Sequence, residues 1–440
     1  TIATTENVIL DSATDLAAIT TTGSLAVVSA GSVTDSGVVS VGGTTAVTIA
    51  TTENVILDSA NTFTGAMTFT AGDGGVGTAF GNVTVKNSTV VKLDTNADTA
   101  GDLYLNAATD GTVGGNLSIT SGGAITQGIQ LGVTGSAGFK TLNDTPKGIT
   151  LSNAANTFGA ITAQARNAAD NADVSGAIAI SEGAAMAIAD ISTTGTLSLT
   201  TTGALTQSGA IGAGAVTVSA SGQDVTLTNA SNAMTSVSIT GANIDVTDSD
   251  GIDIAAITSA TTLDVIAGDA ITDSGTITVS GAATFMTKKD LAAAITLNTS
   301  GVHTFGSVKA ETRNAADNAT VAGAITIDEN AAMDIAGLTT TSTVSLITAG
   351  AITDSGAIAA GAITINTTAG ADAAARAVTI AGQTTNATSW NVSTTDGAIS
   401  IDEDSATDLA AITTTGTLSL TTAGALTQSG AIGAGAVTVS

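Results

Sequence analysis

The sequence predicts an all-β solenoid with coils of roughly 20 residues. Three observations carry this. The chain copies itself: TTGTLSLTTTGALTQSGAIGAGAVTVS at 193–219 returns at 414–440 with Thr202 replaced by Ala423. Val, Ile and Leu occur as doublets with one residue between them, and the doublets return about every 20 residues. Helix-forming Glu, Lys, Arg and Leu are scarce, whereas Thr, Val and Ile, which suit a pleated surface, dominate.

Other copies sit at other offsets. ATTENVILDSA occurs at 3–13 and 50–60, and SATDLAAITTTG at 12–23 and 405–416. Residues 165–218 align without a gap with 312–365, opening on RNAADNADVSGAIAI at 166–180 and RNAADNATVAGAITI at 313–327. A short motif recurs at irregular intervals: apolar-Thr-(Asp/Gln)-(Ser/Gly), with its Thr at Thr34, Thr126, Thr206, Thr272, Thr353 and Thr427. The doublets Leu197/Leu199, Val216/Val218, Val237/Ile239 and Leu263/Val265 read as successive half-buried strands. Gly, Asn, Asp and Ser fill the breaks, as turns require. AAMAIAD at 184–190 admits at most one helical turn. Residues 1–440 thus read as one continuous β-solenoid segment, with 61–150 the most divergent stretch.

Composition narrows the choices. The 440 residues include 2% aromatics, one Pro (Pro146) and no Cys. Immunoglobulin-like sandwiches pack a Trp or Tyr in each core, and Trp390 and Tyr104 are the only ones here. A solenoid interior fills instead with Val, Ile, Leu, Ala and Thr. Coils about 4.8 Å apart would give a rod on the order of 100 Å long. Without Cys there are no disulfides, thiolate metal sites or Cys nucleophiles. The net charge of −27, from 37 acidic and 10 basic residues, argues against nucleic acid and anionic membranes as partners. The stretches without charge, between Asp190 and Asp224 and after Asp408, interleave Thr, Ser, Gln and Gly with period 2. They do not read as membrane helices, and no membrane insertion is expected.

Both termini fall inside the repeat. Thr1-Ile2-Ala3 matches Thr48-Ile49-Ala50, and Ser440 matches Ser219, after which that copy runs on. Neither an initiator Met nor a signal peptide is visible. The expectation is an internal part of a longer chain, or a unit that pairs with itself end to end in a filament.

The unit GTLSLTTTGALTQSGAIGAGAVTVSASGQDVTLT, with strands such as Leu197-Ser198-Leu199 and Val216-Thr217-Val218, resembles the haemagglutination-type repeats of filamentous haemagglutinins. More broadly it resembles the β-strand repeats of giant secreted bacterial proteins. The resemblance covers most of the chain, 61–150 excepted. It implies a right-handed parallel β-helix, export to the bacterial cell surface, and a role as adhesin or fibre.

Candidate chemistry is sparse. His303, in GVHTFGS, is the only histidine, and one imidazole builds neither a triad nor a His-based metal site. It reads as a strand or turn residue. Asp245, Asp248, Asp250 and Asp253 in DVTDSDGID offer hard oxygen ligands of the kind Ca²⁺ takes, but lack the bidentate Glu of an EF-hand loop. Asp402, Glu403 and Asp404 form a second acidic cluster, and GDGGVG at 72–77 lacks the Asp of a calcium β-roll nonapeptide. Calcium at acidic turns is the one cofactor considered, and solvated turns are the plainer reading. Arg166, Arg313 and Arg376 are the only arginines. Two of them are repeated with the architecture and so read as structural rather than catalytic. Lys288 and Lys289 form the only basic pair, read as a solvated turn. Asn87, Asn229, Asn318, Asn386 and Asn391 head Asn-x-Ser/Thr triplets, frequent by chance in such a chain.

The expected function is structural: a stretch of an extracellular filament or adhesin stalk, without catalytic or cofactor-binding residues. The alternative is a module that binds cell-surface glycans through 61–150 and the insertions at 166–172 and 313–319. A polysaccharide-degrading enzyme ranks below both, because it needs two carboxylates facing one cleft.

Overall fold

A computed structural model describes residues 2–12, 14–72, 74–75, 78–299, 303–368 and 376–440. It comprises two compact units, Thr1–Gln223 and Asp224–Ser440. Every regular element among the described residues is a strand, and the strand ladders within each unit are parallel, with coils of roughly 20 residues.

In the first unit, one ladder stacks Val8, Leu25, Thr45, Met67 and Leu103 in register. A second stacks Val33, Val55, Val83, Leu117, Ala137, Ile161 and Ile188. A third stacks Val91, Ile125, Ile149, Ile178, Leu197 and Val216. In the second unit, one ladder runs Ile252, Ile271, Ile295, Ile325, Val344, Ile363, Trp390 and Leu409. Another runs Met333, Ile352, Val378, Ile399, Leu418 and Val437.

The alternation follows from strand geometry. Successive side chains point to opposite faces, so a doublet at i and i+2 puts both apolar groups inside. Strands such as Leu117–Ser121 and Ile178–Glu182 alternate buried and half-buried residues in this way. Each Val, Ile or Leu so buried contributes roughly 1.5–3 kcal/mol.

Residues 61–150 keep the ladder and vary the loops. Asn116 lies 34 positions after its partner Asn82, whereas Ser24 lies 17 after Asn7. One expectation needs correction. The segment at 184–190 holds no helical turn: Met186–Ser192 is a strand, with Met186 opposite Leu205. Pairing with the next coil decides the backbone there, over local Ala propensity. The doublets do not all share one ladder. Val237 and Ile239 pair with Ile254 and Ile257, while Leu263 and Val265 pair with Ile244 and Val246. Each coil carries more than one apolar side, and spacing alone does not assign a doublet to a side.

The recurrent Thr-(Asp/Gln)-Ser-Gly motif has a steric cause. A Cβ on Gly37, Gly209, Gly275 or Gly356 would lie 1.7, 1.6, 1.8 or 1.8 Å from the carbonyl oxygen of Ala17, Ala189, Ala255 or Ala336 in the coil before. Only Gly lets the backbones approach this closely. Gly37→Ala should therefore cost about 2–3 kcal/mol. Gly31→Ala, where nothing lies within 4 Å of the added Cβ, should leave the thermal midpoint nearly unchanged. Equal losses in a thermal melt would refute the steric account.

Candidate functional site

The groups that carry the most distinctive chemistry lie inside the coils, at their corners. The inward positions after an apolar doublet are polar: Val83-x-Val85-x-Asn87, Ile178-x-Ile180-x-Glu182, Ile244-x-Val246-x-Asp248, Ile325-x-Ile327-x-Glu329 and Ile399-x-Ile401-x-Glu403. All five terminal residues are buried. Each accepts a backbone N–H from a neighbouring coil where the ladder bends and an amide would otherwise be left unpaired. Asn87 Oδ1 takes the Phe63 N–H at 3.0 Å, Glu182 Oε1 that of Phe158 at 2.7 Å, and Asp248 Oδ2 that of Met234 at 2.7 Å. Glu329 Oε1 takes the Phe305 N–H at 2.8 Å. Glu403 takes the Ala387 N–H at 3.1 Å and the Trp390 indole N–H at 3.0 Å.

Their electrostatics differ. Burial pushes the Glu182 and Glu329 carboxyls up to about 7, only partly offset by the one amide each accepts. In each, Oε2 is buried without a hydrogen-bond partner among the described residues. Burial also raises Asp248, against the amides of Asp250 and Met234.

The motif's own polar residues stitch neighbouring coils together on the outside and at the corner. Ser36 donates to Asp15 Oδ2 at 2.7 Å, Ser274 to Asp253 Oδ2 at 2.6 Å and Ser355 to Asp334 Oδ2 at 2.7 Å, each across 21 positions. Ser429 bonds Asp408 in the same way. The motif aspartates accept amides from the coil that follows: Asp35 from Asp58 and Ser59, Asp273 from Asn298 and Thr299, and Asp354 from Ala381.

These placements disperse the acidic clusters read from the sequence. Asp248 points inward to Met234, Asp253 outward to Ser274, and Asp245 sits opposite Asp264 on the neighbouring strand. Burial first, and Asp245 second, raise the Asp264 carboxyl. Asp402 is exposed, Glu403 is interior, and Asp404 accepts the Thr385 N–H at 2.9 Å. So Asp248 and Glu403 are interior brackets rather than solvated turn residues. Among the described residues, no three His, Asp or Glu side chains are grouped to hold a metal ion. Asp73, Val76 and Gly77 of the GDGGVG stretch lie outside the described residues. His303 is wholly buried: its Nδ1 accepts the Ile277 N–H at 3.1 Å, and its Nε2 lies 2.9 Å from Asp273 Oδ2.

The insertions at 166–172 and 313–319 are the same folded-back turn. Arg166 Nε meets Asp170 at 3.1 Å and Arg313 Nε meets Asp317 at 3.0 Å. Asn167 and Asn314 donate to Asn171 and Asn318, both at 2.7 Å. Asp170 and Asp317 adopt φ of 53° and 55°, a left-handed conformation that Asp tolerates. Lys140 and Lys288 reach Asp170 and Asp317 at 3.0 and 3.1 Å. Arg313 and then Lys288 hold the Asp317 carboxyl below the usual carboxylate range. Lys288 is therefore an anchor of this turn, and Lys289 bonds Asp269. Arg376 is tied to Asp396, its Nε at 2.7 Å from Oδ1. Of the glycosylation-type asparagines, Asn87 is buried, Asn229 half-buried, and Asn318, Asn386 and Asn391 exposed.

Sequence reasoning overlooked Asn61, Asn156, Glu182 and Glu329. The usable signal was the parity: each of the two glutamates falls two residues after an apolar doublet and so must point inward. Chemically, the interior array satisfies backbone amides and locks one coil on the next.

Comparison with curated proteins and comparison with solved structures gave no match. The family described as "Repeats of unknown function (DUF5649)" matches residues 5–70, 68–165, 175–240, 241–311 and 396–440, more than half of the chain. The chain belongs to this family of repeats, and the matched segments are built from the stacked coils and corner brackets described above.

Proposed function

We propose that this chain is a structural stretch of an extracellular bacterial filament or adhesin stalk, akin to the haemagglutinin-type repeats its units resemble. One observation carries the reading: an Asp–Ser contact between neighbouring coils recurs, once in the first unit and three times in the second. Asp15–Ser36, Asp253–Ser274 and Asp334–Ser355 are the plainest case. A chain whose distinctive chemistry is spent on coil-to-coil contacts works by holding its shape. Its partner is more of the same solenoid, added coil by coil along the axis.

Antibodies raised against the purified chain test this on intact producing cells. Surface labelling, with thin labelled fibres in the sheared material under the electron microscope, is the expected result. Label confined to broken cells would overturn it. The competing reading, a glycan-contacting module, draws on the two matching turns at 166–172 and 313–319. Sugar binding lost on replacing Asn167 and Asn314 by Ala would favour that reading.

A further inference from the structure

Three coil corners carry related two-residue brackets, each built on a buried side chain that accepts a backbone N–H. At the first, Asn61 Oδ1 accepts the Val39 N–H at 2.8 Å and Asn61 Nδ2 donates to Asp35 Oδ2 at 2.7 Å. Asp35 in turn takes the amides of Asp58 at 2.9 Å and Ser59 at 3.2 Å. At the second, Asn156 Oδ1 accepts the Leu131 N–H at 2.9 Å and bonds Gln127, whose Oε1 takes the Asn153 N–H at 3.2 Å. At the third, in the other unit, the carboxamide is replaced by an imidazole. His303 Nδ1 accepts the Ile277 N–H at 3.1 Å, and Nε2 lies 2.9 Å from Asp273 Oδ2, close enough for an ion pair but without hydrogen-bond geometry. Asp273 takes the amides of Asn298 at 2.9 Å and Thr299 at 3.1 Å. Asn61 and His303 are both wholly buried.

A neutral imidazole and a carboxamide each present one acceptor and one donor on a rigid plane, and here both use the acceptor to hold a backbone amide. With Nδ1 accepting, the ring's single proton sits on Nε2. The two groups differ in one respect: a carboxamide does not titrate in the physiological range, and an imidazole does. The second proton of the ring has only Nδ1 to enter, and that atom is occupied by the Ile277 amide. Two N–H groups would then face each other across the corner. Three acidic residues lie near the ring: Asp273, Glu329 and Asp328. Asp273 is the last residue of the strand Ile271–Asp273. Glu329 is bridged to His303 and holds the Phe305 amide through Oε1. Asp328, the residue before Glu329, has its carboxyl raised by burial first and lies within electrostatic reach of His303 and Asp273. On its remaining face the ring stacks on Phe305, with centroids 6.2 Å apart. None of these groups relieves the clash at Nδ1 while the corner is closed.

We propose that His303 is a proton-sensitive latch: the neutral ring closes its coil corner, and protonation releases the Ile277 amide and loosens that corner. The carboxamides of Asn61 and Asn156 have no such dependence. The chain would then carry one corner closed by a titratable ring beside related corners closed by carboxamides.

Because His303 is the only histidine, ring nitrogen-15 spectra of histidine-labelled full chain need no assignment. Near neutral pH they should show Nε2 protonated and Nδ1 bare. Amide hydrogen exchange then reads the latch. After correction for intrinsic rates, Ile277 should exchange about tenfold faster relative to Val39 at pH 5 than at pH 8. His303→Asn, which copies the Asn61 corner, should abolish that change. Should this variant fold poorly, Asn61→His provides the reciprocal test and should transfer acid sensitivity to Val39. A ring protonated on Nδ1 at neutral pH, or equal acceleration at Ile277 and Val39, would overturn the proposal.

Discussion

Trp390→Ala should lose about 3–5 kcal/mol of stability, the largest loss expected from any single truncation in this chain. The indole is wholly buried and stacks in register between Ile363 and Leu409. Most interior positions are Val, Ile, Leu, Ala or Thr, so the surrounding coils have no large side chain with which to refill the space. A second loss adds to the cavity. The indole N–H donates to Glu403 Oε2 at 3.0 Å, and its removal takes a donor from a buried carboxyl, worth about 1–3 kcal/mol. Trp390→Phe separates the two effects: it keeps most of the volume and loses only the donor, and should cost about 1–3 kcal/mol. Urea unfolding followed by far-ultraviolet circular dichroism measures both, since the only tryptophan is removed in each variant. A loss below about 1 kcal/mol for Trp390→Ala would show that the coils collapse around the gap.

Stability should fall as pH rises from about 4.5 to about 7, through Glu182 and Glu329. Both carboxyls are raised to about 7 from an ordinary 4.5 because burial penalises the charged form. Between those values the folded chain binds protons that the unfolded chain has released. The stabilisation is therefore complete below the unfolded value and is lost as pH rises through the folded one. The loss is at most roughly 3 kcal/mol for each group. Glu182→Gln and Glu329→Gln keep the acceptor for the Phe158 and Phe305 amides and remove the charge. The double variant should be more stable than the parent at pH 8, and the advantage should vanish near pH 4.5. Denaturant midpoints across that range decide it, and an advantage that stays constant with pH would refute the account. This trend runs opposite to the one proposed for His303. The glutamine variants and His303→Asn therefore separate them.

The parallel β-solenoid was legible from short-range patterns. An apolar doublet with one residue between its members needs only the two-residue period of a strand to be read as half-buried, as Leu197 and Leu199 show. The exact copies forced a stacked architecture, because identical units bury identical faces. The Thr-(Asp/Gln)-Ser-Gly motif was visible as a recurrence, but its reason was not. The Ala17 carbonyl that excludes a side chain at Gly37 lies in the preceding coil, and nothing local at Gly37 announces it.

The site residues were harder, for the same reason. Asp248 and Glu403 were noticed for their charge and read as turn residues, whereas parity along their strands places them inside. Asp245, Asp248, Asp250 and Asp253 look like one cluster in the sequence. Alternating faces and the bend at Asp250-Gly251 send them to different environments. His303, read as a strand or turn residue, forms an isolated bridge to Glu329 just before the strand Thr304–Arg313, and its likeness to Asn61 was hidden. The spacings from Asp35 to Asn61 and from Asp273 to His303 differ, because the loops between them differ in length.

By itself the sequence determined the strand period, the approximate coil length, the apolar lining and the strongly acidic surface, since all of these depend on neighbours along the chain. Only the tertiary structure decided which doublets share a ladder, which acids lie inside, and which side chain closes each corner. Those outcomes depend on which residue of one coil lies above which residue of the next. That register is set by loop lengths and by the competition of buried amides for acceptors, neither of which is local in sequence.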